Sequence, residues 1–224
     1  MPDKKEVFSK VLYSFAPVEF ITRLQKGYLK YFEENKSKKV LDIGCGRGIF
    51  LDLLSEAGMN AYGIDGSEEA IKNCKAKGHN NTECGDIFPY LEKKAEEKEN
   101  FDGIFCSHLI EHLPSDLAVE LICLCNRLLS PGGRLILVTP NPSNLEVLTE
   151  IFWLDPTHVR PYPRNLLTAM LEAANFETIE SFADRRTRRK YSFKEMFYRL
   201  PGDFFRYGLN NFTGMDSVII AQKI

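Results

Sequence analysis

Residues 40–48, which read VLDIGCGRG, are the feature that most limits what this chain can fold into. An apolar strand there reaches Asp42 and then meets glycines at alternate positions, so the backbone can turn sharply and approach a ligand closely. A second strand at residues 61–65 ends in another acid, about 20 residues after the first glycine. A glycine turn and an acid at this separation predict a doubly wound α/β sheet that binds the ribose of a nucleoside cofactor.

The spacing of the glycines and the position of Asp42 indicate which cofactor binds. Dinucleotide-binding sheets carry the pattern G-x-G-x-x-G and place a pyrophosphate at a helix N-terminus. This chain has G-x-G-x-G instead, and the Asp42 carboxylate would repel a diphosphate. A carboxylate suits a ligand with a cationic ammonium and sulfonium, such as S-adenosylmethionine. A nicotinamide-dependent oxidoreductase is the alternative on the same type of sheet.

Three further segments follow in an order that is informative as a set. Residues 81–84 form a third predicted strand before Asp86, residues 101–106 form a fourth, and LLSPGG then leads into a fifth. Together with the glycine turn, these features resemble the class I S-adenosylmethionine-dependent methyltransferases, from about residue 38 to residue 139 and again over the last strands. The resemblance implies a Rossmann-like sheet of seven strands, mostly parallel, with an antiparallel last strand between the fifth and sixth.

The chain is expected to form one methyltransferase domain over residues 1–224. Its parts are a helical cap at 1–37, a sheet core at 38–182 and 215–224, and an insertion at 183–214. Aromatic spacing at 6–35 predicts a helical segment that forms a cap over the cofactor end of the sheet. The insertion is longer than a hairpin needs and begins with a basic cluster at 185–190. It is interpreted either as a substrate lid or a membrane- or partner-facing surface, or as a solvated basic turn before a packed helix.

The resemblance also implies a cofactor site at the ends of the first four strands. Its residues are Asp42, Gly44, Cys45 and Gly46 at the methionine moiety, Asp65, Gly66 and Ser67 at the ribose, Asp86 and Ile87 at the adenine, and Cys106 and Ser107 at the methionine amine. Asp65 would accept hydrogen bonds from both ribose hydroxyls. Asp86 has a simpler alternative role, since an aspartate before a helix commonly caps its N-terminus.

The acceptor should bind beyond the carboxyl ends of the strands, where three of the four histidines fall. His108, Glu111 and His112 follow the fourth strand, and His158 lies in the long loop after the fifth. A hydroxyl acceptor needs a base that removes its proton, and histidine has a suitable pKa. His158 is the first candidate and His108 the second, with Glu111 or Asp155 orienting a neighbouring ring. Each histidine could instead be a hydrogen-bonded structural residue.

The pattern H-x-x-E-H at residues 108–112 raises the question of a metal. The same spacing occurs in zinc peptidases, but there it lies within a helix, whereas here it follows a strand and meets Leu113 and a proline. The segment also resembles the metal-binding E-x-x-E-H of ubiquinone-pathway O-methyltransferases and small-RNA 2′-O-methyltransferases. Because His108 replaces the first acid, the set of His108, Glu111, His112 and His158 would suit Zn²⁺ or Mn²⁺ better than Mg²⁺. The metal question stays open.

Composition limits the kinds of partner that this chain is expected to bind. The chain has 29 basic and 31 acidic residues and a net charge of −2, so nucleic acid is not an expected ligand. No apolar run reaches the length of a transmembrane segment, and the polar start does not resemble a signal peptide. The six cysteines have neither disulfide nor zinc-site spacing, and are expected to be buried as small apolar residues. A cytoplasmic protein is expected.

The function expected from these features is O-methylation of a small hydroxylated acceptor or a sugar or glycan. Arg160 and the basic cluster at 185–190 could bind a phosphate or carboxylate on that acceptor. The alternatives are methylation of RNA, the nicotinamide-dependent oxidoreductase, and a non-catalytic subunit that keeps the cofactor fold. Oligomeric state is not predicted.

Overall fold

A computed structural model of the chain describes residues 17–187 and 213–224. Its strands are β1 (Lys39–Ile43), β2 (Asn60–Asp65), β3 (Thr82–Cys84), β4 (Phe101–Ser107), β5 (Leu129–Pro140), β6 (Phe176–Ala183) and β7 (Asp216–Lys223). Its helices are α1 (Val18–Lys26), α2 (Leu29–Glu34), α3 (Ile49–Glu56), α4 (Glu68–Ala76), α5 (Ile87–Glu96), α6 (Ser115–Leu128), α7 (Leu145–Thr149) and α8 (Arg164–Ala173). Short 3-10 turns occur at Ile110–His112, Ile151–Leu154 and Arg185–Thr187.

The strands form one seven-stranded sheet in the order β3-β2-β1-β4-β5-β7-β6. Strands β1 to β5 run parallel to one another, and β7 is antiparallel to both β5 and β6. The fold class predicted from sequence is therefore confirmed, including the position of the last strand. The strand order reverses between β1 and β4, and crevices at such points bind ligands in open α/β sheets.

Apolar layers cover both faces of the sheet because successive side chains of a strand point to opposite faces. On one face Leu41 and Ile43 of β1 belong to a buried cluster that also includes residues of α5, α6 and α8. On the other face Val40 of β1 and Phe105 of β4 belong to a second cluster with α2, α3 and α4. Both faces are thus buried, as parallel sheets require.

The described part of the N-terminal cap is helical, as predicted, and it consists of two helices. Helices α1 and α2 are separate, and the chain turns at Gly27 and Tyr28 between them. Tyr28 and Phe32 pack into the second apolar cluster with Phe105, so α2 covers part of one face of the sheet. Residues 1–16 of the predicted cap lie outside the described residues, as do residues 188–212 of the predicted insertion.

Burial of the cysteines follows the prediction at four positions. Cys45, Cys74, Cys106 and Cys125 are buried. Cys84 and Cys123 are exposed, so the expectation that the cysteines serve as buried apolar residues was wrong for these two. Cys84 is the last residue of β3, the strand at one edge of the sheet.

A close approach between β4 and α2 gives a test of the second apolar cluster. A Cβ added at Gly103 would lie 2.5 Å from ring atoms of Phe32, whose side chain is fully buried. We therefore expect Gly103→Ala to lower the free energy of unfolding by about 1–3 kcal/mol through overpacking. Gly85→Ala is the matched control, because no heavy atom lies within 4 Å of its added Cβ. Urea unfolding of both variants measures the difference; equal stabilities would contradict this account of the packing.

Candidate active site

The glycine turn leaves β1 and bends over the end of β2. Gly44 and Gly46 have φ angles of 77° and 49°, a left-handed conformation that favours glycine. The backbone N–H groups of Gly44 and Cys45 donate to the carbonyl oxygen of Ile64, over 2.8 and 3.1 Å. The turn is therefore fixed beside Asp65, the residue that follows Ile64 at the end of β2.

The Asp65 carboxylate joins the glycine turn to the start of α4. Its Oδ2 accepts a hydrogen bond from the Gly46 N–H at 2.8 Å, and its Oδ1 accepts from the Ser67 N–H at 2.8 Å. The Ser67 side chain in turn caps α4 by accepting from the Ala70 N–H. Asp65 thus organises the turns on both sides of the predicted ribose site, and Gly66 lies between Asp65 and Ser67.

Asp42 is a buried carboxylate on the same edge. Burial raises its pKa well above the usual range, and the charge of Asp65 acts in the same direction. An isolated buried carboxylate is costly to ionise, whereas an ammonium placed next to it favours the charged form. The position of Asp42 at the amino-acid end of the cofactor stays a prediction.

Asp86 caps α5, since its Oδ1 accepts a hydrogen bond from the Phe88 N–H at 3.0 Å. The alternative role given to this residue from sequence is therefore present. It is compatible with a contact to adenine, because a cap of this kind occupies one carboxylate oxygen. Ile87 begins the helix beside it, and Cys106 and Ser107 end β4 on the other side of β1.

The segment after β4 packs directly on the glycine turn. A Cβ at Gly44 would lie 3.6 Å from the Leu109 side chain, which is van der Waals contact. His108 precedes Leu109 with a φ of 52°, and its backbone N–H donates to the carbonyl oxygen of Val138 in β5. The candidate acceptor residues at 108–112 therefore adjoin the candidate cofactor site.

His108 lies between two carboxylates. Its Nδ1 is 3.2 Å from Oε1 of Glu111, and its Nε2 is 3.6 Å from Oδ1 of Asp216. Partial burial opposes protonation, but the charge of Asp216 and the hydrogen bond and charge of Glu111 outweigh it and raise the pKa of His108 to about 9. Since both ring nitrogens face carboxylates, this geometry favours an ion pair over a general base.

The raised pKa of His108 gives a pH-dependent contribution to stability. The charged ring is favoured in the folded protein, so its contribution is complete below the unfolded value of about 6.5 and is lost as the pH rises through about 9. We expect the free energy of unfolding to fall over this window and to fall less in His108→Gln. Urea unfolding at pH 6.5 and 9.5 measures both, with His79→Gln as the control; an equally steep fall in His108→Gln would contradict the prediction.

Glu111 is fully buried and connects several parts of the site. Burial acts to raise its pKa, but the hydrogen bond and charge of His108 prevail and hold that pKa below the usual range. Its Oε2 accepts a hydrogen bond from the Thr139 hydroxyl at 2.9 Å. The role suggested from sequence, orientation of a neighbouring imidazole, agrees with its contact to His108.

His112 and His158 form a separate pair, with ring centroids 4.7 Å apart. Nδ1 of His158 is 2.6 Å from the carbonyl oxygen of Phe152, which can only accept, so this nitrogen carries the proton. Thr157 donates its hydroxyl proton to Asp155, so Nδ1 of His112, 2.9 Å from the same hydroxyl, is also a donor. In the neutral rings both Nε2 atoms consequently keep their lone pairs.

This pair changes the metal hypothesis. Glu111, His112 and His158 offer ligand atoms within 4.8 Å of one another, but His108 does not belong to this group. The hydrogen bonds at both Nδ1 atoms orient the rings in the way that supporting contacts orient metal-bound histidines. The donor set fits a borderline ion such as Zn²⁺ or Mn²⁺, which would polarise an acceptor hydroxyl. The metal site stays a prediction.

Two of the basic residues proposed to bind an anionic acceptor differ in whether a carboxylate already pairs with them. Arg186 donates to both oxygens of Asp184 and stacks 4.8 Å from the Tyr28 ring, so its charge is already paired. Arg160 donates to the Ser115 hydroxyl and lies over the Tyr162 ring, and within residues 17–187 and 213–224 no carboxylate pairs with it. Of these two, Arg160 is the one available to an acceptor.

Comparison with known proteins identifies the family. Residues 18–181 match a family described as a methyltransferase domain. The chain belongs to this methyltransferase family. The resemblance found in the glycine turn and the later strands is thereby confirmed, and so is the expected cofactor, S-adenosylmethionine.

Two curated relatives share one name, and both are O-methyltransferases. This methyltransferase is 36% identical over 132 residues to a ubiquinone biosynthesis O-methyltransferase of Pseudomonas aeruginosa, which covers 57% of this chain and 55% of the relative. It is 33% identical over 138 residues to the enzyme of the same name from Actinobacillus pleuropneumoniae. The chain therefore spans only about half the length of the curated relatives it matches.

Solved structures agree with the fold over nearly the whole chain. A SAM-dependent methyltransferase from Archaeoglobus fulgidus aligns with a TM-score of 0.74 and 29% identity, covering 99% of this chain and 100% of that one. Magnesium protoporphyrin IX methyltransferase from Synechocystis, with bound SAH, aligns with a TM-score of 0.63 at 18% identity, which shows the shared fold alone; it covers 92% of this chain and 84% of that one. Within residues 17–187 and 213–224, no helix of this methyltransferase is long and apolar enough to cross a membrane.

Proposed function

We propose that this methyltransferase transfers the methyl group of S-adenosylmethionine to a hydroxyl oxygen of a small acceptor that binds beside His158 and His112. The observation that carries the proposal is the fixed Nδ1 proton of His158, which leaves the Nε2 lone pair available as a base. The relatives that are named O-methyltransferases support an oxygen acceptor. The proposed unit is a single domain over residues 1–224.

The cofactor contacts are proposed for the residues at the edge of the sheet. Asp65 binds the ribose hydroxyls, Asp42 lies near the methionine ammonium, and Asp86 with Ile87 contacts the adenine. The glycine turn, together with Gly66, Ser67, Cys106 and Ser107, completes this set. Its support is the common placement of these residues at the ends of β1, β2, β3 and β4, where the strand order reverses.

The proposed reaction is a direct displacement. Nε2 of His158 takes the proton of the acceptor hydroxyl while the oxygen attacks the methyl carbon, the carbon–sulfur bond breaks, and S-adenosylhomocysteine leaves. The resulting imidazolium is stabilised by Asp155, whose Oδ2 lies 3.8 Å from Nε2. His112 lies beside the same ring and contributes a second Nε2 to the site.

Arg160 supports an acceptor that carries a negative charge. Its guanidinium has no carboxylate partner among the described residues, and it follows His158 by two positions in the same loop. A carboxylate on the acceptor would pair with it while the hydroxyl faces His158. Methylation of RNA has less support, because Arg186 is already paired with Asp184 and the net charge of the chain is −2.

The test supplies the protein with methyl-labelled S-adenosylmethionine and four probes: catechol, 3,4-dihydroxybenzoate, glucuronate and glycine. We expect labelled methyl ethers from the hydroxylated probes, with a lower KM for 3,4-dihydroxybenzoate than for catechol. Label on glucuronate and not on the aromatic probes would assign a sugar-type acceptor. Label only in an amine or a methyl ester would overturn the oxygen acceptor.

A further inference from the structure

Asp216 lies at the candidate active site on β7, which runs antiparallel to the strands that carry the other residues of the site. Because β7 is antiparallel, its first residue lies at the sheet edge where the parallel strands end, and Asp216 is in register with Pro140, the last residue of β5. Its side chain is only 15% exposed. The sequence pattern gave no indication of a role for it.

The Asp216 carboxylate begins a chain of polar contacts across the ends of three strands. Its Oδ1 is 3.6 Å from Nε2 of His108, and Nδ1 of His108 is 3.2 Å from Oε1 of Glu111. The other carboxylate oxygen of Glu111 accepts from Thr139 at 2.9 Å. These contacts connect β7 with the segment after β4 and with the end of β5.

Glu111 extends this chain to the loop that holds the proposed base. Its backbone carbonyl oxygen accepts hydrogen bonds from the N–H groups of Val159 and Arg160, at 2.8 and 3.3 Å. These two residues directly follow His158. The position of His158 therefore depends on where Glu111 is held.

The backbone of Asp216 is itself well anchored. Its N–H donates to the Thr187 hydroxyl at 3.1 Å, and its carbonyl oxygen accepts from the Asp184 N–H at 2.8 Å. The carboxylate therefore projects from a fixed point rather than from a free strand end. A fixed acid of this kind can orient a ring that in turn orients other groups.

We propose that Asp216 is a positioning residue, which acts through His108 and Glu111 to hold the loop at residues 155–160 so that His158 faces the acceptor. This inference rests on the proposed function for its catalytic consequence. Its structural part, that the carboxylate of Asp216 sets the environment of His158 through two intervening side chains, does not. The experiment has one arm for each part.

The first arm measures the ring nitrogens of the four histidines by ¹⁵N NMR in the protein saturated with S-adenosylhomocysteine, at one fixed pH. Single histidine-to-glutamine variants assign the signals. We expect Asp216→Asn to shift the signals of His108 and His158 and to leave those of His79 unchanged. Asp52→Asn is the reciprocal control, since Asp52 is 2.6 Å from Nε2 of His79, and it should shift His79 alone.

The second arm measures methyl transfer to 3,4-dihydroxybenzoate. We expect Asp216→Ala to lower kcat about tenfold or more, as small misplacements of reacting groups do, with the Kd for S-adenosylhomocysteine within about twofold. In a His108→Gln background the same substitution should have no further effect, because the influence passes through that ring. A purely structural loss would instead add to the effect of His108→Gln and lower the thermal midpoint.

Either of two results would overturn the inference: unchanged His158 signals in a folded Asp216→Asn protein, or equal losses of kcat on Asp216→Ala with and without His108. If the wild-type protein methylates none of the probes, the proposed function fails. The NMR arm then still decides whether Asp216 sets the environment of His158.

Discussion

Replacing His158 with alanine is expected to lower kcat for 3,4-dihydroxybenzoate by about 10²–10⁴-fold, the usual contribution of a positioned general base. The hydrogen bond from its Nδ1 to the Phe152 carbonyl fixes the ring and leaves Nε2 as the proton acceptor. Without the ring the acceptor oxygen must attack with its proton in place. Initial rates at saturating cofactor measure the change.

Two controls separate loss of the base from loss of the fold. The Kd for S-adenosylhomocysteine should stay within about twofold, because His158 lies on the acceptor side of the site. His79→Gln should keep full activity, since His79 pairs with Asp52 and has no role in the proposed reaction. A kcat that is unchanged in His158→Ala would reject this residue as the base and favour His112.

The second large effect concerns the cofactor. Asp65→Ala is expected to weaken binding of S-adenosylhomocysteine by about 30- to 100-fold, or roughly 2–3 kcal/mol, because charge-assisted hydrogen bonds to the ribose are lost. The same substitution removes the acceptor for the Gly46 and Ser67 N–H groups, so the turn around the ligand also loses support. Isothermal titration measures the affinity directly.

Glu68→Gln is the matched control for this substitution. Glu68 is an exposed acid in the first turn of α4, three residues after Asp65, and it has no part in the glycine turn. Its substitution should leave the affinity unchanged. If Asp65→Ala binds as tightly as Glu68→Gln, Asp65 does not hold the ribose and the assignment of the cofactor site must be revised.

Local signals in the sequence were sufficient to predict the sheet. Strand β1 and its glycine turn occupy neighbouring positions in the chain, and the pattern depends on backbone conformations that Gly44 and Gly46 adopt readily. Helix α6 begins at Ser115. Pro114 precedes that helix with a φ of −64°, a common arrangement at helix starts that the apolar periodicity alone does not reveal.

Side-chain orientation in the candidate active site could not be read from the sequence. His108, His112 and His158 were expected to meet in one group, yet His108 turns towards Asp216 while the other two face each other. The difference arises because Asp216 is 108 positions away in the chain and reaches His108 only through the pairing of β5 with β7. Contacts of this range leave no periodicity or motif.

A second long-range contact lies at the turn between the two N-terminal helices. Gly27 separates α1 from α2, and a Cβ there would lie 1.5 Å from a guanidinium nitrogen of Arg186. Arg186 is held by Asp184, which also accepts a hydrogen bond from the Tyr28 hydroxyl at 2.7 Å. The aromatic spacing indicated helix correctly over the described residues 17–35, but the contact at Gly27 comes from a residue far along the chain.

The hydrogen bonds that join Asp184 and Thr187 to Met215 and Asp216 also bear on how this protein can diversify. The Thr187 hydroxyl accepts from the Met215 N–H at 2.8 Å, so the chain leaves and re-enters the sheet at neighbouring points. The entropy cost of closing a loop between such points grows only with the logarithm of its length. A change in the number of residues between Thr187 and Thr213 therefore carries only a small cost in loop-closure entropy.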